Sequence, residues 1–340
     1  MIAIIVRIDN RGLSRQTLSL ANHLGITRRL AITGLPGSPD DPSHLTPHTF
    51  EIPRSRMNDR ALVSKALDQV SSLVTCETFY SDEIIRQAKA KDIELILIPN
   101  REFLHPDEME AAAKIIWPSD WMLPQRWQDR SQVLPFPVDR AEFPPATFEG
   151  IEYLVHSAGH GTQGDRHSTL ATLEAARKAQ VKLAVHSVTK KGLHGSSAGV
   201  ALVDGFLSHP RDIYSLGEAL VIPRRWGGLS LPIQEAASLS MPLIMMSTDP
   251  YAIHTPSDLW VAPASYAPIK GILATDLSVA TADTHDLARA MHTLVHDPLL
   301  ASQASEMSDA LAQSISWEAL GEKWRQALGI EVAQEIGSRP

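Results

Sequence analysis

Apolar positions along this chain recur in two rhythms. Short unbroken apolar runs, at Ile2–Arg7, Leu30–Thr33 and Glu94–Pro99, read as buried strands. Between them lie segments in which apolar residues return every three or four positions, at Leu13–Leu24, Asp59–Leu73 and Ser81–Lys91, and these read as amphipathic helices. Asp107 to Ala113 has helical composition, and Ile115–Trp117 reads as one more short strand. Residues 34–58 are polar and proline-bearing and read as a long surface loop. Such alternation is the pattern of a mostly parallel sheet wrapped by helices.

The rhythm stops at 135–147, where prolines stand at 135, 137, 144 and 145, removing backbone donors and fixing φ. That stretch reads as a linker, because the alternation then restarts. Ile151–Val155, Lys182–Val188, Ala198–Asp204, Ala219–Pro223 and Pro242–Met246 read as strands, and Thr169–Gln180, Asp212–Gly217 and Leu231–Leu239 as helices. From Asp283 the tail is helical, with Leu287, Met291 and Leu294 on one face, then Trp317, Leu320, Trp324 and Leu328 on another. The organisation expected is an α/β domain over 1–140, a linker over 141–148, a second α/β domain over 149–315 and a closing helix in 316–340. Ligands of such sheets bind at the carboxyl ends of the strands, and with two domains the natural place is the cleft between them.

Composition agrees with a packed globular chain: of 340 residues, 44% are hydrophobic and 21% charged. A single cysteine, Cys76, forms no internal disulfide and supports no thiolate metal cluster. The apolar amino terminus is broken at once by Arg7 and Asp9, short of a signal sequence or membrane span, so a cytoplasmic location is expected. Net charge is −8, unevenly spread. Residues 1–140 hold 17 Lys and Arg, 13 of them Arg, against 18 Asp and Glu, and the remaining residues hold 14 against 21. The first half is therefore balanced but arginine-rich, with room for a local anion-binding face.

The chemistry concentrates in Leu216-Gly-Glu-Ala-Leu-Val-Ile-Pro-Arg-Arg-Trp-Gly-Gly-Leu-Ser-Leu-Pro-Ile-Gln-Glu-Ala236, followed by Ser240-Met-Pro-Leu-Ile244. A strand ends at Pro223, the pair Gly227 and Gly228 lets backbone approach a ligand, and a helix opens near Pro232 with Glu235 in its first turn. Amides at that helix start would hold phosphate oxygens, and the carboxylate would accept from a vicinal diol such as ribose. The same pattern equally describes a tight turn before an amphipathic helix, with Glu235 favourable to the helix dipole.

This stretch resembles the nucleotide-sugar signature of GT-B glycosyltransferases, the large retaining family that includes sucrose-phosphate and glycogen synthases. Glu235 matches the second glutamate of the family's Glu-x(7)-Glu pair, which binds the donor ribose, and Gly228, Leu231, Pro232 and Ala236 match its neighbours. Position 227 is Gly where the family has the first glutamate, so contacts to the transferred sugar depart from the pattern. The variant looks like members encoded by bacteriophages. Upstream, Val155-His-Ser-Ala-Gly-His-Gly-Thr-Gln-Gly-Asp-Arg-His167 is similar to the family's diphosphate-neutralising loop, with Gly159 in the glycine position, His160 where Arg stands and Arg166 near the Lys. Taken alone it is a polar glycine loop.

The resemblance implies a two-domain α/β fold with Rossmann-like halves, and transfer of a sugar from a nucleotide-diphosphate donor to a hydroxyl, with retention and without a metal or other cofactor. Gly159, His160, Arg166, Arg225, Gly227, Gly228, Leu229 and Glu235 would bind the donor. Asp9, Glu77 and Asn100, after strands of the first half, would position the acceptor, which is a protein, a modified DNA base or a small molecule. Two further readings stand beside this one: a phage enzyme acting on hydroxymethylated bases, and a nucleotide-sugar-binding protein that has lost catalysis. A dinucleotide dehydrogenase is disfavoured because Gly12 alone remains of its glycine fingerprint after the first strand. The absence of any Asp-x-Asp pair disfavours a metal-held diphosphate, and His292 with His296, or His156 with His160, lack a third metal ligand.

Overall fold

In a computed structural model, the structure describes residues 1–9, 11–36, 39–121, 123–159, 165–188, 199–205, 207, 209–268 and 278–330. The chain divides into two compact units, one of Met1–Pro135 with the segment from Leu320, the other of Phe136–Ala319. In the first unit the strands are β1 (Ile2–Arg7), β2 (Arg28–Thr33), β3 (Thr49–Pro53), β4 (Ser72–Cys76), β5 (Glu94–Ile98), β6 (Lys114–Trp117) and β7 (Ser131–Val133). They form one parallel sheet in the order β3-β2-β1-β4-β5-β6-β7. Helices α1 (Gly12–His23), α2 (Arg60–Ala66), α3 (Asp82–Ala90) and α4 (Pro106–Ala111) connect them. Side-chain caps set several helix starts: Asp59 accepts from the Leu62 amide and Ser81 from the Glu83 amide.

Two sequence expectations are corrected here. The helix expected over Asp59–Leu73 ends at Ala66, and Ser72–Cys76 is the fourth strand, because Leu73, Val74 and Thr75 are buried in the centre of the sheet. The presumed loop 34–58 contains β3, an edge strand whose Ile52 is fully buried while its neighbours are not.

The second unit repeats the plan. Strands β8 (Tyr153–Gly159), β9 (Lys182–Ser187), β10 (Val200–Asp204), β11 (Ala219–Ile222), β12 (Leu243–Met246) and β13 (Trp260–Val261) form a parallel sheet in the order β10-β9-β8-β11-β12-β13. Helices α5 (Thr169–Ala179) and α6 (Leu231–Ser238) follow β8 and β11. An antiparallel ribbon, β14 (Pro263–Pro268) with β15 (Ser278–Ala282), precedes α7 (Thr284–His296) and α8 (Pro298–Ser314). The stretch expected as a short helix at Asp212–Gly217 is a 3-10 helix over Pro210–Leu216. The last helix, α9 (Trp317–Leu328), starts in this unit, and from Leu320 onward belongs to the first.

Both strand orders reverse direction at one place, between β1 and β4 and between β8 and β11. In open parallel sheets the loops that diverge at such a point leave a crevice at the carboxyl edge. Each unit is thus a Rossmann-like sheet with one prepared crevice.

Candidate functional site

In the second unit the two sequence stretches singled out above are the two loops of the switch point. The β8–β11 register, Leu220 opposite Val155, carried forward sets Arg224 level with Gly159. Side chains then clasp the loops together. The buried Ser168 hydroxyl donates to Pro223 O at 2.8 Å, the Arg225 amide to Arg166 O at 2.8 Å, and Arg166 Nε to Trp226 O at 3.3 Å. Arg225 Nε donates to Ala280 O at 3.1 Å, and its guanidinium lies 5.5 Å from the Trp226 ring centroid. Two guanidinium groups from different loops are therefore anchored at one crevice, the charge arrangement that a diphosphate requires.

Beside them sit two histidines, His156 fully buried and His167 half-buried. His156 bonds Val221 O at 2.7 Å and the Thr169 hydroxyl at 2.9 Å, tying β8 to β11 and to α5. His167 bonds Ser157 O at 2.6 Å. Burial lowers the first to a pKa of about 4. Burial and the adjacent Arg166 charge lower the second to about 3. Both rings are therefore neutral at pH 7 and add no positive charge to the loop. With both ring nitrogens of His156 engaged in protein hydrogen bonds, the shared-metal reading for His156 has no support. Among the described residues no group of three or more His, Cys, Asp or Glu side chains is placed to hold a metal.

The glycine turn is held from below. Arg224 is buried, pairs with Asp249 at 2.9 Å and donates to Leu229 O, bridging the turn that contains Gly227 and Gly228. Gly227 has φ +111, a backbone conformation that a side chain disfavours. The family's glutamate at this position would meet that penalty in this turn. The opening of the signature has a different task. A Cβ on Gly217 would stand 2.6 Å from Tyr153 O, and the Glu218 carboxylate accepts from the Glu152 and Tyr153 amides at 3.0 and 2.7 Å. Those residues dock β11 on β8 at the edge remote from the crevice.

The two helix starts differ. Asp165 accepts from the Thr169 amide at 2.6 Å and the Leu170 amide at 3.2 Å, so the α5 terminus is occupied by the chain's own carboxylate. At α6 the N-cap residue Ser230 makes no side-chain cap. Because α6 opens at Leu231, Glu235 falls in its second turn, one step deeper than the sequence suggests. It is buried, and its Oε2 accepts from the Tyr214 hydroxyl at 2.5 Å. Sequence reasoning missed Tyr214; only the conjunction of a buried phenol with a buried carboxylate in space reveals it. His160 lies outside the described residues.

In the first unit the register Ile4 opposite Val74 carried forward sets Arg7 level with Glu77. Asp9, buried after β1, accepts from Arg7, from the Arg11 amide at 3.2 Å and from the Ser14 hydroxyl, so it organises its own loop. Glu77 follows β4 with φ +70 and accepts from Asn100 Nδ2 at 3.4 Å. Asp9, Glu77 and Asn100 thus follow three neighbouring strands on one rim. Cys76 is buried and burial pushes its thiol up, which makes it inert. One pattern overlooked in the sequence, Gly195-Ser-Ser-Ala-Gly199, has the spacing of a hydrolase nucleophile turn. It leads into a strand rather than a helix, the wrong context for that chemistry, and its first four residues lie outside the described residues.

Two Rossmann-like parallel sheets, each with a prepared switch point, define the architecture of GT-B glycosyltransferases, and solved structures with that fold match nearly end to end. Sucrose-phosphate synthase from Thermosynechococcus elongatus is 16% identical over 97% of this chain and 99% of its own, with a TM-score of 0.66. A glycosyltransferase from Rickettsia africae is 11% identical over 97% and 99%, with a TM-score of 0.68. Anabaena HepE in complex with UDP is 11% identical over 97% and 100%, with a TM-score of 0.69. No family model and no curated protein matches the sequence. No helix of the described residues is long and apolar enough to cross a membrane.

Proposed function

We propose that this chain is a glycosyltransferase that moves a sugar from a nucleotide-diphosphate donor to a hydroxyl acceptor, with retention and without a metal ion. The observation that carries the reading is the clasped switch point of the second unit, where Arg166 and Arg225 are anchored from two loops beside a helix start without a side-chain cap. The HepE structures with UDP and with UDP-glucose supply the precedent for the donor class on this fold.

In this reading the arginines neutralise the diphosphate as negative charge builds on it, the work a divalent cation does elsewhere. Backbone at 227–229 approaches the phosphate or sugar oxygens, and Glu235 takes a ribose hydroxyl. The anomeric C–O bond to the diphosphate breaks, the acceptor oxygen bonds to that carbon on the same face, and a donor phosphate oxygen takes the acceptor proton. No strong protein base is required, and the protein's task is orientation and charge stabilisation.

A thermal-shift panel of nucleoside diphosphates and their sugars tests this. A ligand at 100 times its Kd stabilises by about 2.7 kcal/mol, and at least one member of the panel is expected to produce such a shift. No response to any of them would end the donor assignment.

A further inference from the structure

The first unit holds a residue that the sequence did not single out and that the donor chemistry does not use. Tyr80 ends the loop after β4, and its ring packs on the unit's core. It has φ +67, and Glu77 in the same short loop has φ +70. Two non-glycine residues in left-handed backbone within one loop are strained, and strain of this kind persists only where the surroundings impose it. Here Glu108 of α4 imposes it: its carboxylate accepts from the Thr78 hydroxyl at 2.6 Å and from the Phe79 amide at 3.0 Å, while the Thr78 hydroxyl accepts from the Tyr80 amide at 3.0 Å.

The loop so held presents a buried Tyr80 hydroxyl with no hydrogen-bond partner. A buried polar atom without a partner is a cost that native structures avoid unless something fills the place. The hydroxyl lies within electrostatic reach of Arg7, Glu77 and Asp9, on the rim formed by β1 and β4. A second buried donor without a hydrogen-bond partner, Gln16 Nε2, comes from the segment that follows β1, where Arg11 Nε pairs with Asp9 at 3.9 Å.

We propose that the Tyr80 hydroxyl is a hydrogen-bonding contact to the acceptor, and that the acceptor is a neutral, hydroxyl-rich molecule. A phenol hydroxyl both donates and accepts, the Gln16 amide donates and the Glu77 carboxylate on the same rim accepts, and a hydroxyl complements all three. An anionic group would be repelled by Glu77 and a cationic one by Arg7, both within electrostatic reach of the hydroxyl. The inference rests on the glycosyltransferase reading, but its site lies wholly in the first unit.

Tyr80→Phe removes the oxygen and keeps the ring. With glucose as the probe, the wild type is expected to show a saturable thermal shift, and the variant about tenfold weaker binding, the effect of one lost hydrogen bond of ordinary strength. The variant's Tm without ligand is expected to equal or exceed that of the wild type, since a buried hydroxyl without a partner has gone. Glucose that shifts both proteins equally or neither, a lowered Tm in the variant, or a Tyr80-dependent shift by inorganic phosphate instead of glucose overturns the proposal. UDP run in parallel separates the two readings: failure of UDP to shift either protein counts against the donor assignment, whatever glucose does.

Discussion

At the scale of single residues, the second unit's switch point depends on charges and rings held by the protein's own groups. Arg224 and Asp249 are both almost fully buried and face each other at 2.9 Å. Removing one partner of such a pair leaves the other charge desolvated and uncompensated, a loss of about 3–5 kcal/mol. Asp249→Ala is therefore expected to lower the denaturant midpoint strongly and to release the 224–229 turn, measured by urea unfolding at pH 7. The neutral histidines give the fold a pH dependence of defined sign. Their folded pKa values, about 4 for His156 and about 3 for His167, lie below the ordinary 6.5. The unfolded chain therefore binds protons that the folded chain refuses. The stability is present in full above pH 6.5 and is lost as the pH falls towards those folded values, by about 1.4 kcal/mol per pH unit for each ring. Urea titrations at pH 7, 6 and 5 are expected to show that slope, reduced in His156→Asn. Glu235 is a different case, because its carboxylate is assigned to the ligand. Glu235→Ala is expected to raise the donor KM by about tenfold, a cost of about 1.5 kcal/mol, the scale of hydrogen bonds to a charged group. An unchanged donor KM removes the ribose assignment.

At the scale of elements, legibility followed local pattern. β1, β5, β11 and β12 are unbroken apolar runs because they are buried on both faces, and such runs are visible without tertiary knowledge. β4 was hidden because Ser72-Leu-Val-Thr-Cys76 continues the apolar spacing of the helix before it, and only its place between β1 and β5 makes it a strand. β3 was hidden for the opposite reason: as an edge strand it buries Ile52 alone in full. The donor-side stretches were legible because their glycines, prolines and charges lie close in sequence. What brings them together was not, since Ser168 to Pro223, His156 to Val221 and Arg166 to Trp226 each join residues more than fifty positions apart. Tyr214 and Tyr80 were invisible for the same reason, as a phenol acquires meaning only from what lies beside its hydroxyl. The signature also mixes tasks that its spacing does not separate: Gly217 and Glu218 dock one strand on another, while Arg225 and Gly227 shape the crevice.

At the scale of the whole molecule, the chain repeats one topology in two compact units but does not repeat their polar groups. The crevice loops of the second unit carry clasped arginines and neutral histidines. Those of the first carry a self-satisfied Asp9, a strained Glu77 and a phenol without a partner. In the proposed reading the donor's nucleotide belongs to the second unit, and that predicts where ligand-induced ordering falls. Amide exchange reports local opening, and a ligand that cross-links two loops through hydrogen bonds suppresses that opening where it binds. On saturation with UDP, exchange is expected to slow in peptides covering 153–170 and 219–238, which hold β8, the start of α5, β11 and α6. Peptides covering 1–20 and 72–82 are expected to exchange as before, because the first-unit rim makes no contact with the nucleotide in the proposed reading. Protection confined instead to those first-unit peptides would reverse the roles of the two halves. The resemblance at Glu235 would then reflect a shared turn and helix rather than a shared ligand.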